Sequence, residues 1–205
     1  MNEFIPDNVE QKDAWNSLYQ SQGRQWRGMS DIPRIFNNGD HILDVGCGNG
    51  KTSVALMEMG CNVTGMDFSE EAVMFCHDKF QEMKVTCGSV TAIPFSDGTF
   101  DGIAAVHIFE HLTDTEMNDA VTEMYRVLKP GGKVFFRSFS VNDMRAKGNT
   151  DDVRGNGIRY RYFTEDEVFS IFGIFNILSL QLVETKTKFG DMRSRVEAVL
   201  EKRNK

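Results

Sequence analysis

Asp44-x-Gly46-x-Gly48-x-Gly50 stands between an apolar run at 42–45 and a helical pattern that opens at Lys51. Glycine lacks a Cβ, so backbone built from it can pass close to a bound molecule. The helix that follows offers unpaired N–H groups and the positive end of its dipole. A strand, a glycine loop and a helix in this order form a cradle for a nucleotide-type cofactor. Asp67 closes the next apolar run about 20 residues further on, the position of an acid that accepts from a ribose diol. His107 follows a third apolar run, at 100–106, and an imidazole there can serve as a general base.

Three cofactors compete for such a loop. Gly50-Lys51-Thr52 invites a phosphate-loop reading, but that motif needs a glycine where this chain has Val45, and starting from Gly46 leaves the loop one residue short. A dinucleotide fold wants G-x-G-x-x-G, whereas here glycine recurs at every second position. The third reading takes in more of the chain. The motif resembles motif I of the class I S-adenosylmethionine-dependent methyltransferases, and further segments follow in that family's order. Val63-Thr64-Gly65-Met66-Asp67 resembles its acidic second-strand end. Ile93-Pro94-Phe95-Ser96-Asp97-Gly98-Thr99-Phe100-Asp101 resembles its approach to the fourth strand. Phe109-Glu110-His111-Leu112 and Arg126-Val127-Leu128-Lys129-Pro130-Gly131-Gly132 are similar to its next two segments.

The resemblance implies a set of roles. Asp44, Gly46, Cys47 and Gly48 would hold the methionine end of S-adenosyl-L-methionine, helped by the main chain near Val106. Asp67 would accept from the ribose hydroxyls, with Phe68 against the adenine edge. Ser89 and Val90 would flank the adenine. The family usually has an aspartate where this chain has Ser89, so an uncharged hydroxyl would meet the adenine amine. His107 is the candidate base, with Glu110 and His111 read as structural. His107-Ile108-Phe109-Glu110-His111 also spells a zinc signature, but that motif needs one helix carrying both histidines, and no metal is assigned. Arg27 is a further candidate for the methionine carboxylate. Trp15, Tyr19 and Trp26 are either core or a roof over the cofactor. Arg159-Tyr160-Arg161-Tyr162 either binds an anionic acceptor or forms a solvated strand edge.

The elements that must position these residues alternate strand and helix, which predicts an α/β fold: a Rossmann-like three-layer sandwich with a seven-stranded, mostly parallel sheet and an antiparallel last strand. Strands are expected at 42–45, 62–66, 84–87, 100–106 and 133–139. Helices are expected at 51–59, at 70–83 behind Ser69 as N-cap, at 113–128 and at 165–172. Residues 8–37 read as two helices broken near Gly23, and 140–157 as a long polar loop. Runs at 175–187 and 193–201 read as a hairpin closing one sheet edge, with Arg195 and Glu197 alternating with Val196, Ala198 and Leu200. The organisation expected is one domain over 1–205: a helical cap at 1–38, a cofactor core at 39–139, a substrate loop at 140–163, and a helix with the hairpin at 164–205.

At 40% hydrophobic and 26% charged residues the composition is that of a soluble globular protein. Net charge is −7 with the basic residues scattered, which disfavours nucleic acid as partner. No apolar run approaches the roughly 20 residues that span a bilayer, and the N-terminus lacks a signal-peptide pattern. Cys47, Cys61, Cys76 and Cys87 show no C-x-x-C spacing and read as reduced thiols of a cytoplasmic protein. The expected function is methyl transfer to a small-molecule acceptor. Its rivals are a cofactor-binding protein that does no chemistry and a methyltransferase of RNA or protein.

Overall fold

Seven strands pair in the order β3-β2-β1-β4-β5-β9-β8 in a computed structural model, which describes residues 8–22 and 30–204. The central strands are β1 (His41–Val45), β2 (Asn62–Asp67), β3 (Lys84–Cys87), β4 (Phe100–Val106) and β5 (Leu128–Phe139). They are all parallel. β9 (Met192–Glu201) runs antiparallel to β5 and to its other neighbour, β8 (Asn176–Lys186). The helices are α1 (Asn8–Gln22), α2 (Lys51–Glu58), α3 (Glu70–Lys79), α4 (Asp114–Val127) and α5 (Glu165–Ile171). No helix among the described residues is long and apolar enough to cross a membrane.

Period-two burial fixes the sheet. Val134 and Phe136 of β5 pack with Val196, Ala198 and Leu200 of β9 against Met117, Val121 and Met124 of α4. The opposite face of β5 puts Phe135 with Ala55 and Leu56 of α2. α4 opens with a capping box: Thr113 accepts from the Glu116 N–H, and the Glu116 carboxylate accepts from the Thr113 N–H. Ser69 caps α3 as expected, accepting from the Ala72 N–H.

Four boundaries differ from the sequence reading. α3 stops at Lys79, where Phe80 leaves helical dihedrals (φ −130°, ψ 78°) and packs beside Gly50. β5 begins at Leu128, because a register shift between Phe100↔Leu128 and Gly102↔Lys133 takes up the Lys129–Gly132 turn as a bulge. The polar stretch after β5 is not all loop: β6 (Asp151–Val153) and β7 (Arg159–Arg161) pair antiparallel within it. Residues 30–37 form no helix, and the rest of the expected second N-terminal helix, with Trp26 and Arg27, lies outside the described residues.

Gly102 in the middle of the sheet leaves no room for a side chain. A Cβ there would sit 2.4 Å from the Phe36 ring and 2.8 Å from Ile42 Cδ1. Both neighbours are buried, so they cannot swing aside. Gly102→Ala is expected to cost about 1–3 kcal/mol of unfolding free energy in urea denaturation. An unchanged midpoint would mean that this interior is looser than its contacts.

Candidate active site

A cavity of about 370 Å³ opens at the carboxyl ends of β1, β2, β4 and β5, where open α/β sheets hold their ligands. Its floor is the glycine loop. Gly46 and Gly48 have φ of +67° and +52°, a left-handed backbone that side chains disfavour. The loop is pinned at three points. The Cys47 N–H donates to the Met66 carbonyl (3.0 Å), the Gly48 N–H donates to Asp67 Oδ2 (2.8 Å), and the Cys76 thiol donates to the Gly48 carbonyl (3.2 Å). Gly50 is off the cavity wall; a Cβ there would meet the Phe80 ring at 2.7 Å, so its role is packing.

Gly46, Cys47, Gly48, Asp67 and Phe68 all line the cavity, as do Ser89, Val90, Val106 and His107. Asp44 does not. It lies buried behind the loop, where the Ser53 hydroxyl donates to its Oδ2 at 2.5 Å. Burial pushes the Asp44 carboxyl up to about 7 against that hydrogen bond. Asp67 faces the cavity, and its Oδ1 also accepts from the Ser69 N–H (3.0 Å). Burial raises it to about 6, although the Ser69, Gly48 and Phe68 N–H groups favour its charge. Ser89 shares a 2.7 Å hydrogen bond with Thr91 on the same wall.

His107 is a non-glycine residue at φ +58°, a conformation that costs free energy and is found where function or context demands it. Its N–H donates to the Arg137 carbonyl (2.8 Å), which extends the β4–β5 ladder one residue past the strand end. Nδ1 lies 2.8 Å from Glu110 Oε1, and Glu110 Oε2 accepts from the Ser138 hydroxyl (2.6 Å). Glu110 is fully buried. Burial works to raise it, but His107, His111 and Ser138 outweigh that and hold it below the ordinary carboxylate value. An ionised carboxylate only accepts, so Nδ1 carries the proton and Nε2 is the ring's acceptor. The His107 ring stacks 4.3 Å from Phe139.

α1 roofs the cavity. Trp15 meets the His111 ring edge-on at 5.0 Å, and Tyr19 is buried beside it. Gln11 ties this roof to the β6–β7 hairpin: its Nε2 donates to the Gly157 carbonyl, and its Oε1 accepts from the Arg159 N–H. His111 Nδ1 donates to the Arg159 carbonyl (2.6 Å), and burial lowers its basicity. Among the described residues no three His, Cys, Asp or Glu side chains converge as a metal site.

Arg161 turns away from the cavity and pairs with Asp114 and Glu167. The sequence reading missed the arginines that do line it: Arg137, Arg145, Arg154, Arg193 and Arg195. For Arg195 a signal existed, since the alternation of β9 reserves one face for Arg193, Arg195 and Glu197. Arg145 and Arg154 sit in a polar stretch with no periodicity to expose them.

A family model described as a methyltransferase domain matches residues 43–136. Residues 43–136 thus carry a methyltransferase domain, and the fold around it is that of S-adenosylmethionine-dependent methyltransferases. The matched segment begins within β1 and ends within β5, so it takes in the glycine loop, Asp67 and His107. The chain is 29% identical over 152 residues to the tRNA N(3)-methylcytidine methyltransferase of Schizosaccharomyces pombe, covering 64% of this chain and 50% of that protein. It is 33% identical over 113 residues to the ubiquinone biosynthesis O-methyltransferase of Coxiella burnetii, covering 53% of this chain and 47% of that protein. The chain thus spans about half the length of these curated relatives. A solved S-adenosylmethionine-dependent methyltransferase of Methanosarcina mazei shares the fold, with a TM-score of 0.76 and 22% identity over 86% of this chain and all of that one.

The buried acids leave a mark on stability. A carboxyl raised on folding holds more protons in the folded than in the unfolded protein, so unfolding free energy falls as pH climbs. For Asp44 that window runs from its ordinary 3.8 to about 7. Asp44→Asn keeps an acceptor for Ser53 and carries no charge. It is expected to remove a loss approaching about 1.4 kcal/mol per pH unit inside the window. Urea titrations at about pH 5 and about pH 8 check this; a wild-type slope unchanged in the variant would refute it.

Proposed function

We propose that this methyltransferase binds S-adenosyl-L-methionine across the glycine loop and Asp67 and passes its methyl group to a small-molecule acceptor beside His107. The observation that carries the reading is the shared wall on which Gly46, Gly48, Asp67 and His107 face one cavity. The residues suit the cofactor. The left-handed bends at Gly46 and Gly48 open main chain to the methionine end, and Asp67 keeps a lone pair beyond its backbone donors for a ribose diol. Phe68, Ser89 and Val90 offer an apolar slot with one hydroxyl for the adenine. Asp44, tied to Ser53, acts from behind by supporting the loop.

When bound, the cofactor supplies a sulfonium-activated methyl whose leaving group is a neutral thioether. The protein's task is therefore mainly alignment. The backbone around Val106 and His107 sets the acceptor's edge of the site. His107 Nε2 takes a proton from an acceptor that enters protonated, while Glu110, held by Ser138, fixes the tautomer and balances the imidazolium that forms. Segment 140–163 forms the acceptor side through the hairpin that α1 clasps. A recessed cavity of small-molecule size favours such an acceptor over RNA or protein. The four free thiols suit the reducing cytoplasm.

Incubation with S-adenosylmethionine and an acceptor library should give S-adenosylhomocysteine only with an acceptor present. Tight cofactor binding without turnover across the library would favour the non-catalytic rival. Asp67→Ala should weaken S-adenosylhomocysteine at least about tenfold by calorimetry. Because the ionised form accepts from the hydroxyls, wild-type affinity should fall as pH drops through about 6, and Asp67→Asn should erase that dependence. His107→Asn is expected to lower kcat about 10²–10⁴-fold with cofactor affinity intact. A loss confined to KM would remove the base role.

A further inference from the structure

The cavity of this acidic protein has one basic end. Backbone register builds it. Arg137 and Phe139 on β5 pair with Glu197 and Arg195 on β9, and Arg193 follows two residues before Arg195 on the same face. Arg145 joins from the chain beyond β5, its guanidinium 4.5 Å from the centre of the Phe139 ring, whose neighbour is His107. Arg154 lies 3.4 Å over Tyr160, which packs 6.4 Å from Phe139. The arginines therefore gather beside the candidate base and its aromatic neighbours.

Only part of this charge is answered within the protein. Arg137 is buried on Glu197 (2.7 Å) and the Asp31 carbonyl, and Arg145 pairs with Asp143 (3.1 Å). Among the described residues no carboxylate lies in ion-pair range of Arg154, Arg193 or Arg195; Arg195 reaches only the Thr185 hydroxyl (3.0 Å). Of the acids on the wall, Asp67 is committed to the glycine loop, Glu110 to His107 and Ser138, and Glu116 to its capping box, while Asp31 meets Arg137 through its backbone carbonyl and forms no ion pair with these arginines. Burial, Arg137 and Arg193 oppose the charge on Arg195 and outweigh the support it draws from Glu197 and Asp143. Like charges crowded at a concave, partly dry wall repel one another unless an anion enters.

We propose that this end is the acid-binding half of the acceptor site: the acceptor carries a carboxylate or phosphate group, held by Arg145, Arg154, Arg193 and Arg195. The inference rests on the methyltransferase reading above and adds to it the class of acceptor. Planar guanidinium forks suit both acids through bidentate hydrogen bonds. Of the two readings left open for Arg159–Tyr162, an anion site does not suit Arg161, which is spent on Asp114 and Glu167.

The test uses the whole chain saturated with S-adenosylhomocysteine and titrated in a calorimeter with benzoate, phenyl phosphate and neutral benzamide. At least one acid should bind about tenfold or more tighter than benzamide, and the two acids together tell carboxylate from phosphate preference. Arg193→Gln and Arg195→Gln should each remove most of that preference while S-adenosylhomocysteine affinity stays within about twofold, which also certifies the fold. Acids that bind no better than benzamide, or not at all, overturn the inference and leave the methyltransferase reading standing. Methylation of unfractionated tRNA with no acid preference likewise overturns it. Failure to bind S-adenosylhomocysteine is a different result and strikes the reading beneath.

Discussion

The Asp67 carboxylate is the joint on which the site turns. One oxygen holds the glycine loop through Gly48 and the other holds the start of α3 through Ser69. Two βα connections, distant in sequence, are thereby fixed to each other by a single side chain at the ends of β1 and β2. The site costs something to build: burial raises this acid even though backbone donors surround it. A ligand that supplies further donors would offset that cost, so the loop is most comfortable when filled.

Across the cavity a second relay has the same logic with other groups. Ser138 orients Glu110, and Glu110 orients His107, whose backbone is held left-handed by the ladder to Arg137. The same strand, β5, thus contributes Ser138 to one face and Arg137 and Phe139 to the other. The two halves of the site are coupled through one rigid element, while the roof of α1 and the β6–β7 hairpin rest on them through side-chain contacts such as Gln11.

Much of this could be read from the chain. The glycine doublets, the acid after the second apolar run and the strand–helix alternation specify the parallel sheet and the glycine-loop wall of the cavity, because each is a local consequence of period and backbone freedom. The antiparallel last strand was legible in the alternation of Arg195 and Glu197 with Val196, Ala198 and Leu200. Three things were not legible. The retreat of Asp44 behind the loop depends on a hydrogen bond to Ser53. The early end of α3 depends on where Phe80 finds its packing. The arginines at 145 and 154 depend on how an aperiodic segment folds back over Phe139 and Tyr160. All three are tertiary choices that propensity and spacing leave open.

The two-faced pattern of β9 has a further effect. One side of the strand is core and the other bears the guanidinium groups, so its pairing with β5 admits no slip by a single position. A shift of that size would drive charged side chains into the packing of α4 and turn valine and leucine toward the ligand. The charge of the pocket is thereby guarded by the oil beneath it: any rearrangement that discharged the basic wall would unfold the sheet edge as well. Evolution can therefore re-tune this wall one residue at a time, provided that the pairing of β9 with β5 is kept.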